Sequence, residues 1–156
     1  MPASTTLRSP LGQQLFEELK DLPSSRRFSC EQLEIIYSLA YGHVMQKQYA
    51  QALPIFMLLT QYGPTYHHYW SGLGVCLQAL QRHAEAIYIY SLMLLMFPDN
   101  LEPALRMAES EFAIGDVESA QHQLQTLLIA TQDQPEFQAR VSGLLQRFSL
   151  ARKSVT

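Results

Sequence analysis

Charge is scarce in this chain: 16% of its 156 residues are Asp, Glu, Lys or Arg, against about 25% in an ordinary soluble domain. The shortage is local. Between Glu31 and Phe97 only Glu31, Glu34, Lys47, Arg82 and Glu85 are charged, and the same stretch holds all eight tyrosines and the single tryptophan. That stretch reads as surface meant to be covered. Basic residues are not in excess either: eleven Lys and Arg against fourteen Asp and Glu leave a net charge of -3, which disfavours phosphate neutralisation and nucleic-acid binding. Cysteine is limited to Cys30 and Cys76 with no CxxC spacing, so no disulfide framework is available and a reducing cytosolic compartment is expected. Apolar runs fall short of the roughly 18 residues of a membrane span; the longest, Ile87 to Phe97 broken by Ser91, suits a buried helix. Met1 to Pro10 carries one arginine and no apolar centre, unlike a secretory leader.

Signatures of chemistry are equally thin. The chain has no Gly-rich phosphate loop, no GxSxG and no HExxH, so neither catalysis, a cofactor nor a metal is expected. His67 and His68 are adjacent and would point about 100° apart on a helix, which does not suit one ion. Cys76 is expected to be a small buried hydrophobe rather than a nucleophile.

What is present is a period. Sliding the sequence against itself by 34 residues superposes Leu39-Ala40 on Leu73-Gly74 and Met107-Ala108, Ala52 on Ala86 and Ala120, Phe56 on Tyr90 and Leu124, and Pro64 on Pro98. Three units result, residues 33–66, 67–100 and 101–134, within a repeat region spanning 29–134. Each reads as two helices, with small residues at the eighth and twentieth positions where the pair must approach closely and a large residue at the twenty-fourth filling the next layer. Ser29-x-x-Gln32 and Asp133-x-x-Glu136 resemble capping boxes, Thr65 is placed to cap the second unit, and Gly115-Asp116 marks a turn inside the third. Pro54 conflicts with the pattern if its helix starts more than one turn earlier. Residues 1–10 read as disordered. An amphipathic helix is expected within residues 11–28, and a closing helix carrying Phe137, Val141, Leu144, Leu145 and Phe148 over 135–150, followed by a tail at 151–156.

A 34-residue helix-turn-helix period with Trp70, Leu73, Gly74, Ala86, Tyr90 and Pro98 in register is that of tetratricopeptide repeats. The fold class is therefore all-α, three such repeats in a right-handed superhelix with an N-terminal helix and a C-terminal cap. Its concave face is drawn from the second, fifth, ninth and twelfth positions of each unit: Glu34, Tyr37, Tyr41 and Val44, then His68, Ser71, Val75 and Gln78, then Glu102, Leu105, Glu109 and Phe112. These predict a groove that is aromatic and aliphatic at one end and acidic at the other, suited to an extended apolar peptide, with tyrosine hydroxyls and Gln78 free to bond its backbone. None of the twelve is Lys, Arg or Asn, so a groove that clamps a carboxylate tail is not expected. Tyr49, Tyr88 and Tyr90 are assigned to packing, and the acidic stretch after Asp99 and the basic residues after Glu136 to solvated faces.

The strings Tyr37-Ser38-Leu39-Ala40-Tyr41, Tyr49-x-x-Ala52-x-x-x-Phe56, Gly72-Leu73-Gly74-Val75-Cys76-Leu77-Gln78-Ala79, Ala86-Ile87-Tyr88-Ile89-Tyr90-Ser91 and Asp133-x-Pro135-Glu136-Phe137 resemble the class II chaperones of bacterial type III secretion. The resemblance runs from Ser29 to Leu150. It implies a cytoplasmic protein that binds hydrophobic translocators before export, holding an extended cargo segment in the groove, with Tyr37 and Tyr41 matching groove aromatics and Val44 standing where relatives often carry a third tyrosine. It also implies a homodimer formed through N-terminal helices, which would give the stripe Leu11, Leu15, Phe16, Leu19 and Leu22 a partner. The repeat pattern taken alone fits a general adaptor or scaffold, including a transcriptional co-regulator, equally well.

Overall fold

A computed structural model describes residues 8–154. Among them the chain forms eight α-helices and one short 3₁₀ turn: α1 (Pro10–Asp21), the turn at Pro23–Arg26, α2 (Cys30–Met45), α3 (Tyr49–Tyr62), α4 (His67–Ala79), α5 (His83–Met96), α6 (Glu102–Ala113), α7 (Val117–Ala130) and α8 (Pro135–Lys153). From α2 onward each helix packs against the next in sequence.

The period is written into the turns. Within each helix pair one residue adopts a left-handed backbone conformation: Lys47 (φ 59°), Gln81 (φ 62°) and Gly115 (φ 89°), spaced by one repeat. The following amide then reaches back five residues, Gln48 to the His43 carbonyl, Arg82 to Leu77 and Asp116 to Glu111, at 2.8–2.9 Å, closing the helix end. Asp116 also caps α7 by accepting from the Ser119 amide at 3.2 Å. Ser29 and Gln32 form both bonds of a capping box, at 3.2 and 2.9 Å. Asp133 and Glu136 do not, because α8 starts one residue later behind Gln134; nor does Thr65, since Tyr66 occupies the cap of α4 without a side-chain bond.

Packing follows the small-and-large alternation. Ala40, Ala52, Ala86, Ala108 and Ala120 have no exposed surface, and Phe56, Tyr90 and Leu124 are buried beside them. A Cβ on Gly72 would run into the Phe56 ring, and one on Gly74 would lie 2.5 Å from Cε1 of Tyr90; the glycines let α4 approach its neighbours. One buried cluster fills the first two repeats and a second joins the third repeat to α8. In the second, Phe112 stacks on Phe148 with centroids 3.9 Å apart, and Arg140 holds the Glu102 carboxylate through two bonds of 2.6 and 2.8 Å.

Several expectations are corrected. Residues 1–7 lie outside the described part, but 8–10 are ordered: Ser9 caps α1 by accepting from the Gly12 amide, and Arg8 donates to the Met96 carbonyl at 2.6 Å. The closing helix continues to Lys153, three residues into the expected tail. Pro54 lies in the second turn of α3 with its ring exposed, where only one helical bond is lost. Tyr88 is 65% exposed and does not pack in the core, whereas Tyr49 does. The N-terminal helix is not left without a partner in its own chain: it lies on α5, with Phe16 edge-on to Phe97 at 6.1 Å and Gly12 against the Leu95 carbonyl.

Candidate peptide-binding face

The leading helices α2, α4 and α6 position the expected face. Because Glu34 and His68 occupy the same place in successive repeats, the helix packing sets them side by side: the Glu34 carboxylate takes His68 Nε2 at 2.8 Å and accepts the Tyr69 hydroxyl at 2.8 Å. These two bonds, the His68 one foremost, hold the Glu34 carboxyl below the usual carboxylate range against the opposing effect of burial. Burial first, then the bond to Glu34, pushes the buried Tyr69 phenol well up, so it stays a neutral donor. Tyr37 stands edge-on to His68 at 4.9 Å and tilted beside Tyr41 at 6.0 Å, with its hydroxyl pushed up chiefly by burial. Tyr41 is 49% exposed. Val44, Ser71 and Val75 are half-buried on the same leading helices.

Other expected members sit elsewhere. Leu105 is 3% exposed and belongs to the third repeat's core. Gln78 is not free to bond a ligand: its amide donates to the Arg106 carbonyl at 2.9 Å while its oxygen accepts the Tyr90 hydroxyl at 2.8 Å, tying the second repeat to the third. Phe112 keeps its edge beside a recess of about 270 Å³ lined by Glu109, Leu144, Arg147, Phe148 and Ala151. The acidic end is tempered rather than bare, because Arg106 lies 3.7 Å from both Glu102 and Glu109, and Arg140 pairs with Glu102.

Two features escaped the sequence reading. Tyr69 anchors Glu34 from a buried position whose only signal was its place one residue after His68. An apolar recess of about 360 Å³ opens between α3 and α5, lined by Leu53, Met57, Leu73, Leu77, Tyr88 and Ile89 among others. Its lining comes from three helices, so no single stretch of sequence displays it. The cysteine expectation fits the geometry: Cys76 is buried and its thiol is pushed up to about 11 by that burial. The rings of His67 and His68 are 5.8 Å apart and His68 is engaged by Glu34. No described helix is long and apolar enough to cross a membrane.

A tetratricopeptide-repeat family model matches residues 77–142. Low calcium response locus protein H of Yersinia pseudotuberculosis is 29% identical over 130 residues, covering 80% of this chain and 76% of the relative. PcrH of Pseudomonas aeruginosa, solved in complex with the chaperone-binding region of PopD, superposes with a TM-score of 0.73 at 27% identity over 82% of this chain and 98% of PcrH. The fold is that of the type III secretion translocator chaperones. A third relative, the translocator chaperone SycD of Yersinia enterocolitica in a structure described as an alternative dimer, gives a TM-score of 0.71 at 26% identity over 81% of this chain and 98% of SycD. The translocator chaperones are thus the group that the matched strings resemble, and the all-α repeat architecture is shared with them along most of the chain.

Proposed function

We propose that this chain is a cytoplasmic chaperone of type III secretion. It holds an extended apolar segment of a translocator along α2, α4 and α6 and keeps the cargo from associating before export. The observation that carries this is the half-exposed aromatic and aliphatic surface of Tyr37, Tyr41, Val44 and Val75 beside the Glu34 carboxylate, in a fold shared with PcrH, whose structure contains a translocator's chaperone-binding region. Glu34 stands at the N-terminal end of that surface, held by His68 and Tyr69, and the rings give apolar area at low entropic cost. Action is by stoichiometric binding, without turnover, and as a homodimer, the state in which SycD is described.

Co-expression with the translocators of the same secretion system tests the reading. Tyr37→Ala with Tyr41→Ala is expected to lose co-purifying cargo while the helical circular dichroism is kept, and Tyr88→Ala, on the α3–α5 recess, is expected to retain it. Cargo recovered at wild-type yield with the double variant would remove the face from the binding site.

A further inference from the structure

The twelve positions expected to form the peptide face end on α6, but the face itself goes further. α8 runs alongside α6 in the place a fourth leading helix would take. Near its start Arg140 holds Glu102, the first residue of α6, through bonds of 2.6 and 2.8 Å; near its end Phe148 stacks on Phe112, close to the last residue of α6. Arg140, Gly143, Arg147 and Ala151 are spaced by one helical turn each and so share one side of α8. Three of them are seen against α6: Arg140 at Glu102, and Arg147 and Ala151 around the recess that also takes Glu109 and Phe112. Gly143 lies between them, and a Cβ there would meet nothing within 4 Å. Glycine weakens a helix interior relative to alanine, and no packing within the chain demands it here; a backbone from outside that passes close to α8 does.

The recess has apolar lining from Phe112, Leu144 and Phe148, and the charges around it are unequally engaged. Glu109 lies 3.7 Å from Arg106, and Glu102 is taken by Arg140, whereas Arg147 is exposed and has no ion-pair partner among the described residues. We propose that this recess is a further subsite for the cargo: an apolar side chain of the bound segment enters it, an adjacent Asp or Glu meets Arg147, and the peptide backbone passes over Gly143. The subsite presupposes the chaperone reading and gives the cargo a chemistry. A carboxylate of the segment is attracted to the α8 end by Arg147 and disfavoured at the α2 end, where the chain presents its own Glu34. Neighbouring helices lie about 8–10 Å apart, so the three steps from α2 to α8 span roughly 27 Å. An extended chain at about 3.3 Å per residue covers that in about eight residues, which places the apolar–acidic pair about that far from the cargo residue that meets Tyr41.

Fluorescence anisotropy with labelled peptides tiled across the translocators of the same secretion system, titrated with the full chain, tests this. Arg147→Glu is expected to raise the Kd of the bound peptide about tenfold, and Gly143→Gln, which fills the opening, to raise it by a similar factor. Ser149→Gln, on the opposite side of α8, is expected to leave it unchanged. All three positions are exposed, so circular dichroism and Tm are expected to hold. Replacing the cargo's acidic residue with Lys is expected to weaken binding to the wild-type chain and to restore it to Arg147→Glu. A Kd unchanged by Arg147→Glu or by Gly143→Gln, or the lack of any Asp or Glu in the peptide whose reversal restores binding, would overturn the proposal. So would a change of mass in light scattering for Arg147→Glu with the peptide Kd unchanged, which would assign the recess to another copy of the chain. If the Tyr37 and Tyr41 variant loses the peptide while the α8 variants keep it, the chaperone reading stands without this subsite; if neither set of variants changes binding, both fall.

Discussion

Replacing Gly74 with alanine sets two physical effects against each other. The new Cβ would lie 2.5 Å from Cε1 and 2.7 Å from Cζ of Tyr90, about 1 Å short of ordinary carbon–carbon contact. The ring has little freedom to retreat: Tyr90 is 2% exposed and its hydroxyl is held by Gln78 at 2.8 Å. Overpacking of this kind costs about 1–3 kcal/mol, while the gain in helix propensity returns about 1 kcal/mol. The net expectation is a loss of about 1 kcal/mol, or about 2–4 °C in Tm for a chain of this size. The third repeat supplies the control, because there Ala108 and Leu124 occupy the corresponding positions, both fully buried. With Tyr90→Leu as background the alanine no longer meets a ring, so Gly74→Ala is expected to stabilise by about 1 kcal/mol and the coupling to reach about 2 kcal/mol. Urea and thermal unfolding of the four proteins, followed by far-ultraviolet circular dichroism, measure this. A Gly74→Ala protein more stable than wild type, or a coupling near zero, would show that the Tyr90 ring does not dictate glycine at this position.

Two further outcomes follow from the geometry. Glu34 is held below its ordinary carboxylate value, so its contribution to stability is fully present above that value and is lost as pH falls from about 4.5 toward the folded value. Glu34→Gln is therefore expected to lower the unfolding free energy from urea denaturation at neutral pH by less than about 1 kcal/mol, given its exposure, with the gap closing in acid; a gap that persists unchanged in acid contradicts the His68 and Tyr69 assignment. At the left-handed turns, Gln81→Gly is expected to raise stability by about 1 kcal/mol and Gly115→Ala to lower it by a similar amount, read from the same unfolding curves.

Much of the architecture was legible because it is local. The spacing of Ala40, Ala52 and Phe56 and of their counterparts one and two periods on states which faces meet within a pair, since helix partners a few residues apart share one turn. The Ser29 and Gln32 capping box and the Gly115-Asp116 turn involve atoms within a few positions of each other, and both appear in the structure. Gln81 and Lys47 were missed as turn residues because neither side chain advertises a left-handed backbone; only their register with Gly115 does. Asp133 and Thr65 do not cap because α8 and α4 start one residue later, behind Gln134 and Tyr66.

The expected face was read less well. Tyr37, Tyr41 and Glu34 lie together because they share one face of α2, and the repeat register sets His68 of α4 beside them; both the spacing and the register are visible in the sequence. Gln78 stands one period after Val44 and Leu105 two periods after Tyr37, yet they are taken up by Tyr90, Arg106 and the third repeat's core, because the side chains around them differ from one repeat to the next.

The sequence by itself thus determined that the chain is a helical repeat of period 34, where its helices pair, and which family it resembles, since those depend on spacings within a repeat. Only the tertiary structure decided where α1 docks, through an Arg8–Met96 bond between residues 88 apart in the chain. A helical stripe records that a residue wants cover; which surface supplies it depends on every other element competing for the same place.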